Sequence, residues 1–85
     1  MVDAETIRET VRQSVNRITG IAPGEIHDDS DFRKDLGLDS LSALEVMVDV
    51  EYAFKIKVPE ERLQTVATVK DTIAVVQEYL GTVQA

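Results

Sequence analysis

Apolar residues in the first twenty positions recur at the spacing of a helix. Four of them are separated by four, four and three residues and therefore share one helical face: Ile7, Val11, Val15 and Ile18. Asp3 precedes this stretch as a suitable N-cap, and Gly20 follows it as a suitable C-terminal stop. The pattern predicts a first helix from about Asp3 to Gly20, with its apolar face directed at the core.

The segment 21–39 has no sustained period and contains residues typical of loops, among them Pro23-Gly24 and Gly37. Four large apolar side chains are spread through it: Ile26, Phe32, Leu36 and Leu38. We expect these side chains to be buried, so that they hold a long loop against the helices.

The residues from Ser40 to about Phe54 contain neither Gly nor Pro and predict a second helix of roughly 22 Å. Its apolar positions cover more than one face. The positions suited to the core are Val46, Met47, Val50 and Phe54. The second stripe consists of Leu41, Leu44 and Val48. Because acids such as Glu45 and Glu51 flank this stripe, it is either a second core contact or a docking surface.

The last third predicts a connector and two helical segments. Residues 55–58 alternate like a strand but have no partner strand, so we interpret them as a connector that ends at Pro59. A short helical turn over 60–64 follows. Thr68 and Asp71 then resemble a capping box for a last helix that we expect to end at Gly81, before a fraying tail. Its apolar positions are Val69, Ile73, Val76 and Leu80.

Together these elements predict an all-α fold in a single domain over residues 1–85. The expected architecture is a small antiparallel bundle of three main helices plus one short helix, with a long loop between helices one and two. Because 85 residues enclose only a small core, a deep catalytic cleft is not expected.

The net charge of -7 is concentrated in the middle of the chain. Residues 25–51 carry nine acids against Arg33 and Lys34, whereas the segments 1–24 and 52–85 are each neutral. A negative surface disfavours nucleic acid and anionic membranes and attracts basic partners. No apolar run is long enough for a membrane span or a signal peptide, so we expect a soluble, cytoplasmic protein. With no Cys and a single His27, no zinc site is expected, and we assign His27 no role.

The segment 35–41, Asp-Leu-Gly-Leu-Asp-Ser-Leu, resembles the D-x-G-x-D-S-L signature of acyl carrier proteins. The resemblance extends over the chain, from helix one and the acidic loop to the Val58-Pro59 connector and the last helix. It implies that Ser40 receives 4′-phosphopantetheine from coenzyme A through a phosphopantetheinyl transferase. A hydroxyl at a helix N-terminus suits a phosphodiester because unsatisfied N–H groups and the helix dipole favour negative charge there. Gly37 permits the turn before it, and Asp39 offers a charge to a basic transferase.

The resemblance also implies a carrier without turnover of its own, a monomer with no catalytic or metal-ligating residue. The attached phosphopantetheine, here called the arm, would hold acyl groups as thioesters for acyl-transferring, condensing and reducing enzymes with basic docking patches. The positions that match the family's recognition surface are Asp39, Leu41, Leu44, Glu45, Val48 and Glu51. This favours docking over core burial for the second stripe. The apolar interior is further expected to part for an acyl chain.

Several residues depart from the pattern of carriers in fatty-acid synthesis. Ser42, Tyr52 and Ala53 replace expected acids, and Lys55 and Lys57 place positive charge at the end of helix two. We therefore favour a specialised carrier, in polyketide or secondary-lipid synthesis, over general fatty-acid elongation.

Two other protein classes explain less of the sequence. A calcium loop that begins at Asp29 would place Lys34 where Gly is required and Ser40 where a bidentate Glu is required. An unmodified, acidic, helical interaction domain explains the helices and the charge. It does not account for the Gly-Leu-Asp-Ser-Leu motif at residues 37–41.

Overall fold

The computed structural model describes residues 3–84 and confirms the predicted all-α bundle. The helices are α1 (Ala4–Thr19), α2 (Ser40–Phe54), α3 (Glu60–Leu63) and α4 (Val69–Gln84). A single 3₁₀ turn over Pro23–Glu25, which the sequence pattern did not indicate, lies in the loop after α1. Helix α1 packs against both α2 and α4, and α2 also contacts α4. The core therefore lies between the three long helices.

Both ends of α1 are stabilised as the sequence predicts. The Asp3 carboxylate accepts a hydrogen bond of 2.9 Å from the backbone N–H of Thr6, which satisfies one of the free donors of the first turn. Gly20 ends the helix in the left-handed conformation, with φ of 81°. Of the predicted apolar face, Ile7, Val11 and Val15 are fully buried. Ile18 is partly buried against the same core.

The long loop is anchored by the four side chains predicted for this purpose. Ile26, Phe32, Leu36 and Leu38 are all buried. Its backbone also binds the start of α4, because the Ser30 carbonyl accepts a hydrogen bond of 3.3 Å from the N–H of Val69 and the Asp28 carbonyl one of 2.7 Å from that of Lys70. The loop carbonyls thus satisfy donors that the first turn of a helix leaves free.

The predicted capping box at the start of α4 is confirmed. The Thr68 hydroxyl accepts a hydrogen bond of 3.1 Å from the N–H of Asp71, and the Asp71 carboxylate accepts one of 3.2 Å from the N–H of Thr68. Together with the loop carbonyls, this arrangement fixes where α4 begins.

The predicted end of α4 at Gly81 is wrong, because the helix continues to Gln84. Among the described residues, only Gly20, Gly37 and Lys55 have positive φ, so Gly81 keeps helical geometry. A glycine inside a helix lowers its stability by about 1 kcal/mol but does not by itself end it. Residues 82–84, predicted as a fraying tail, belong to the helix, and Ala85 lies outside the described residues.

The connector after α2 contains no strand, as predicted. Ile56 and Val58 are buried, while Lys55 and Lys57 are exposed. The alternation of apolar and charged residues in this segment therefore arises because one side of the connector packs on the core and the other faces solvent. Lys55 adopts the left-handed conformation and ends α2, and its N–H donates to the carbonyl of Glu51.

Candidate functional site

Ser40 is the first residue of α2 and its side chain lies at an exposed position. The helix cap is the preceding residue, since the Asp39 carboxylate accepts a hydrogen bond of 2.8 Å from the N–H of Ser42. This hydrogen bond is the main reason that the pKa of Asp39 lies below its usual value. The Ser40 hydroxyl is therefore available for chemistry, because Asp39 supplies the cap.

The turn before α2 is built on Gly37. This residue has φ of 69°, a left-handed conformation that favours glycine, as expected from the sequence. Leu36 and Leu38 on either side are buried, and the N–H of Leu38 donates a hydrogen bond of 2.8 Å to the Phe32 carbonyl. The turn thus fixes the chain immediately before Ser40 against the core.

The side chain that contacts the Ser40 hydroxyl is Arg33, which the sequence did not identify. Its Nη2 donates a hydrogen bond of 2.8 Å to Ser40 Oγ. The Arg33 backbone is held by Asp31, whose Oδ1 accepts hydrogen bonds of 2.9 Å from the N–H groups of Arg33 and Lys34. No periodic pattern relates a loop residue to the first residue of a helix seven positions later, so the sequence indicated only that Arg33 contributes a charge.

The second apolar stripe of α2 faces solvent. Leu41, Leu44 and Val48 expose 67%, 44% and 54% of their surface, which excludes a second core contact. Tyr52, with 87% exposed, extends the stripe by one further turn. The sequence interpretation missed it, since it considered Tyr52 only as a replaced acid, although its spacing of four from Val48 indicated the same face.

The acids of α2 differ in their surroundings. Glu45 is exposed, as expected for a recognition residue. Glu51 is half-buried, and its Oε2 accepts a hydrogen bond of 2.8 Å from the N–H of Val58 in the connector. Asp49 binds Ser14 of α1 through a hydrogen bond of 2.6 Å and also pairs with Arg17. Part of the acidic segment therefore stabilises the fold.

A cleft of about 570 Å³ opens beside Ser40. Its apolar lining includes Met47 of α2, Leu63 of α3 and Val66 after it, and its polar lining includes Arg33 and Ser40. The side chains available at the site are thus an exposed hydroxyl, a guanidinium in contact with it and an adjacent apolar surface.

The described residues 3–84 contain no group of three or more His, Asp or Glu side chains that could hold a metal ion. Within the same range, no helix has the length and apolar character needed to cross a membrane.

Comparison with known proteins gives one family. Residues 9–76 match the model of the phosphopantetheine attachment site. An acyl carrier protein of Rhodococcus erythropolis is 40% identical over 74 residues, which cover 87% of this chain and 81% of the relative. An acyl carrier protein of Prochlorococcus marinus is 35% identical, with coverages of 91% and 96%. A meromycolate extension acyl carrier protein of Mycobacterium bovis is 36% identical, with coverages of 91% and 67%.

Proposed function

The chain belongs to the acyl carrier protein family and contains a phosphopantetheine attachment site, and we propose that the 4′-phosphopantetheine is attached to Ser40. The bound arm supplies a terminal thiol that holds acyl groups as thioesters. The observation that carries this assignment is the Ser40 hydroxyl, which is exposed at the start of α2 and is not consumed by the helix cap. Residues 1–85 would act as one carrier domain.

The residues around Ser40 fit a phosphodiester. The hydroxyl accepts a hydrogen bond from Arg33, so a guanidinium already lies beside the atom that would carry the phosphate. Loading would form a bond between Ser40 Oγ and the phosphorus that bears the pantetheine group of coenzyme A, and would break the phosphoanhydride bond to the adenosine 5′-phosphate. Adenosine 3′,5′-bisphosphate would leave, and the hydroxyl proton would pass to a base of the transferase. The chain's own task in this step is to present the hydroxyl.

The exposed face of α2 supports docking of partner enzymes. It combines the apolar Leu41, Leu44 and Val48 with the acids Asp39 and Glu45, a composition that suits an apolar contact surrounded by Lys and Arg. We include Glu51 in this surface through the part of its side chain that remains exposed. Exposed ion pairs are each worth about 0–1 kcal/mol, which permits rapid exchange between the transferase and acyl-transferring, condensing and reducing enzymes.

The carrier itself would have no turnover and would act as a monomer in the cytoplasm.

The apolar side chains beside the attachment point would shelter part of a bound acyl chain, since Met47, Leu63 and Val66 line the cleft next to Ser40. Methyl chemical shifts of Met47, Leu63 and Val66 should change between the unacylated and the acylated arm. Unchanged shifts at all three would contradict sheltering in this cleft.

A specialised pathway, in polyketide or secondary-lipid synthesis, is our further proposal. Lys55 and Lys57 are exposed at the end of α2, and Tyr52 lies at an exposed position where fatty-acid carriers commonly have an acid. A partner for this carrier would therefore need less positive charge near the end of α2 than a partner for a uniformly acidic carrier.

Intact-mass measurement after incubation with coenzyme A, magnesium and a broad-specificity transferase tests the assignment. The parent should gain one phosphopantetheine, and Ser40→Ala should gain none. Ser42→Ala is the matched control, because it removes a hydroxyl two residues away and should still be loaded. No gain in the parent, while a known carrier is loaded in parallel, would contradict the proposal and leave an unmodified interaction domain as the better explanation.

A further inference from the structure

The contact between Arg33 and Ser40 joins a cation to the atom at which the arm is attached. Arg33 Nη2 lies 2.8 Å from Ser40 Oγ, and Arg33 is exposed, so it is not needed to fill the core. In the free protein this hydrogen bond joins a charged donor to a neutral hydroxyl. Esterification would place a negative charge on the non-bridging phosphate oxygens, two bonds beyond that oxygen, which strengthens the attraction.

One backbone donor at the start of α2 is already used within the protein. The Asp39 carboxylate already accepts the N–H of Ser42, and the hydrogen bonds it receives lower its pKa, so Asp39 is charged at neutral pH. A phosphate on Ser40 would thus lie next to an existing negative charge. Arg33 is the cation in contact with the attachment oxygen, and it would offset that repulsion.

The position of Arg33 is set by its own turn. Asp31 Oδ1 accepts the N–H groups of Arg33 and Lys34, and the N–H of Asp31 donates a hydrogen bond of 2.7 Å to Asp35 Oδ2. These bonds restrain the backbone from which Arg33 extends. The Cα of Arg33 is therefore held in place beside α2.

We propose that Arg33 binds the phosphodiester of the arm in the loaded protein and so holds the attached end of the arm in the cleft that Arg33 and Ser40 line. This rests on the proposed attachment to Ser40. The planar guanidinium can donate two parallel hydrogen bonds to the two non-bridging phosphate oxygens, which a lysine cannot do. The arm would consequently begin its path next to the apolar side chains of the cleft, because Arg33 and Ser40 both line that cleft.

Nuclear magnetic resonance of the loaded protein tests this role. Intact mass first shows whether Ser40 carries the arm. Loading should then shift the Arg33 Nε–H signal and slow its exchange with water by about two- to fivefold, the range expected for an exposed ion pair. The chemical shift of the ³¹P signal of the phosphodiester should depend on sodium chloride concentration in the parent. In Arg33→Ala it should lose most of that dependence.

The matched control is Lys34→Ala, which removes the same charge from the neighbouring exposed position without touching Ser40. It should keep the salt dependence of the ³¹P signal, and Arg33→Lys should retain part of it. Equal effects of Arg33→Ala and Lys34→Ala, or an Arg33 signal unchanged by loading, would overturn the inference while leaving the attachment intact. A parent that gains no arm would overturn the proposed function and this inference with it.

Discussion

Ser14 of α1 donates a hydrogen bond of 2.6 Å to the Asp49 carboxylate of α2. Ser14 is buried, with 6% of its surface exposed, and Arg17 one turn further along α1 pairs with the same carboxylate oxygen. Asp49 lies in the acidic segment that the sequence marks as a surface for partners. The structure shows that this acid links two helices.

The Ser14 and Asp49 pair should appear as a coupling energy in unfolding measurements. Asp49→Ala leaves a buried hydroxyl without its acceptor and should lower the free energy of unfolding by about 1–3 kcal/mol. Urea unfolding of Asp49→Ala, Ser14→Ala and the double variant should give a coupling of about 1 kcal/mol. The control is the exposed Glu45→Ala on the same helix, which should change stability by less than about 0.5 kcal/mol. Additive effects of the two substitutions would show that the contact does not couple the helices.

The ion pair between Arg8 and Asp28 predicts a component of acid sensitivity. Arg8 Nε and Nη2 donate hydrogen bonds of 2.6 and 2.8 Å to the two oxygens of Asp28, and these bonds lower the pKa of that carboxyl. Because the unfolded carboxyl keeps its ordinary pKa of about 3.9, the unfolded state binds more protons than the folded state as the pH falls toward and below that value. The stabilisation is therefore complete at higher pH and is lost as the pH falls through the lowered pKa.

Asp28→Asn should remove this part of the pH dependence. Because the carboxylate is 43% exposed and the pair is screened by solvent, the loss at neutral pH should be at most about 1 kcal/mol. Thermal unfolding between neutral pH and acid measures it, with the neighbouring exposed Asp29→Asn as the control. If both variants lose stability in parallel with the parent as the pH falls, the Arg8 pair does not contribute.

The sequence predicted the elements whose signals are local. Periodic apolar positions located α1 and the core face of α2, and the pairing of Thr68 with Asp71 located the start of α4. The end of α4 could not be located in this way, since a glycine stops a helix only where its backbone turns left-handed. Gly20 makes that turn and Gly81 does not.

The candidate site was predictable only in part for a similar reason. Ser40 and Asp39 belong to one short motif, so the sequence identified both. Arg33 contacts Ser40 because of the way the loop folds, and Glu51 contacts Val58 because of the path of the connector. Neither contact can be predicted from the spacing of residues along the chain. A residue's charge can be counted from the sequence, whereas its partner depends on packing.

Alanine substitutions at Glu45 and Glu51 should distinguish an effect on partner docking from an effect on folding stability. Glu51→Ala removes the acceptor of the Val58 N–H, a part-buried hydrogen bond, and should lower the free energy of unfolding by about 1 kcal/mol. Glu45→Ala should leave stability unchanged but reduce the association rate with a basic transferase at low salt by up to about fivefold, with the difference vanishing at high salt. Stopped-flow association and urea unfolding measure the two effects. Equal association rates for Glu45→Ala and the parent at every salt concentration would exclude Glu45 from the docking surface.

Alanine substitutions at Gly37 and Gly81 should change stability in opposite directions. A Cβ at either position meets no atom within 4 Å, so the backbone conformation alone decides the sign. Gly37 has φ of 69°, and Gly37→Ala should lower the free energy of unfolding by about 1–2 kcal/mol because L-residues are strained there. Gly81 is helical, and Gly81→Ala should raise it by about 0.5–1 kcal/mol. Urea unfolding of both variants under one set of conditions makes the comparison, and a destabilised Gly81→Ala would contradict the continuation of α4 past Gly81 in solution.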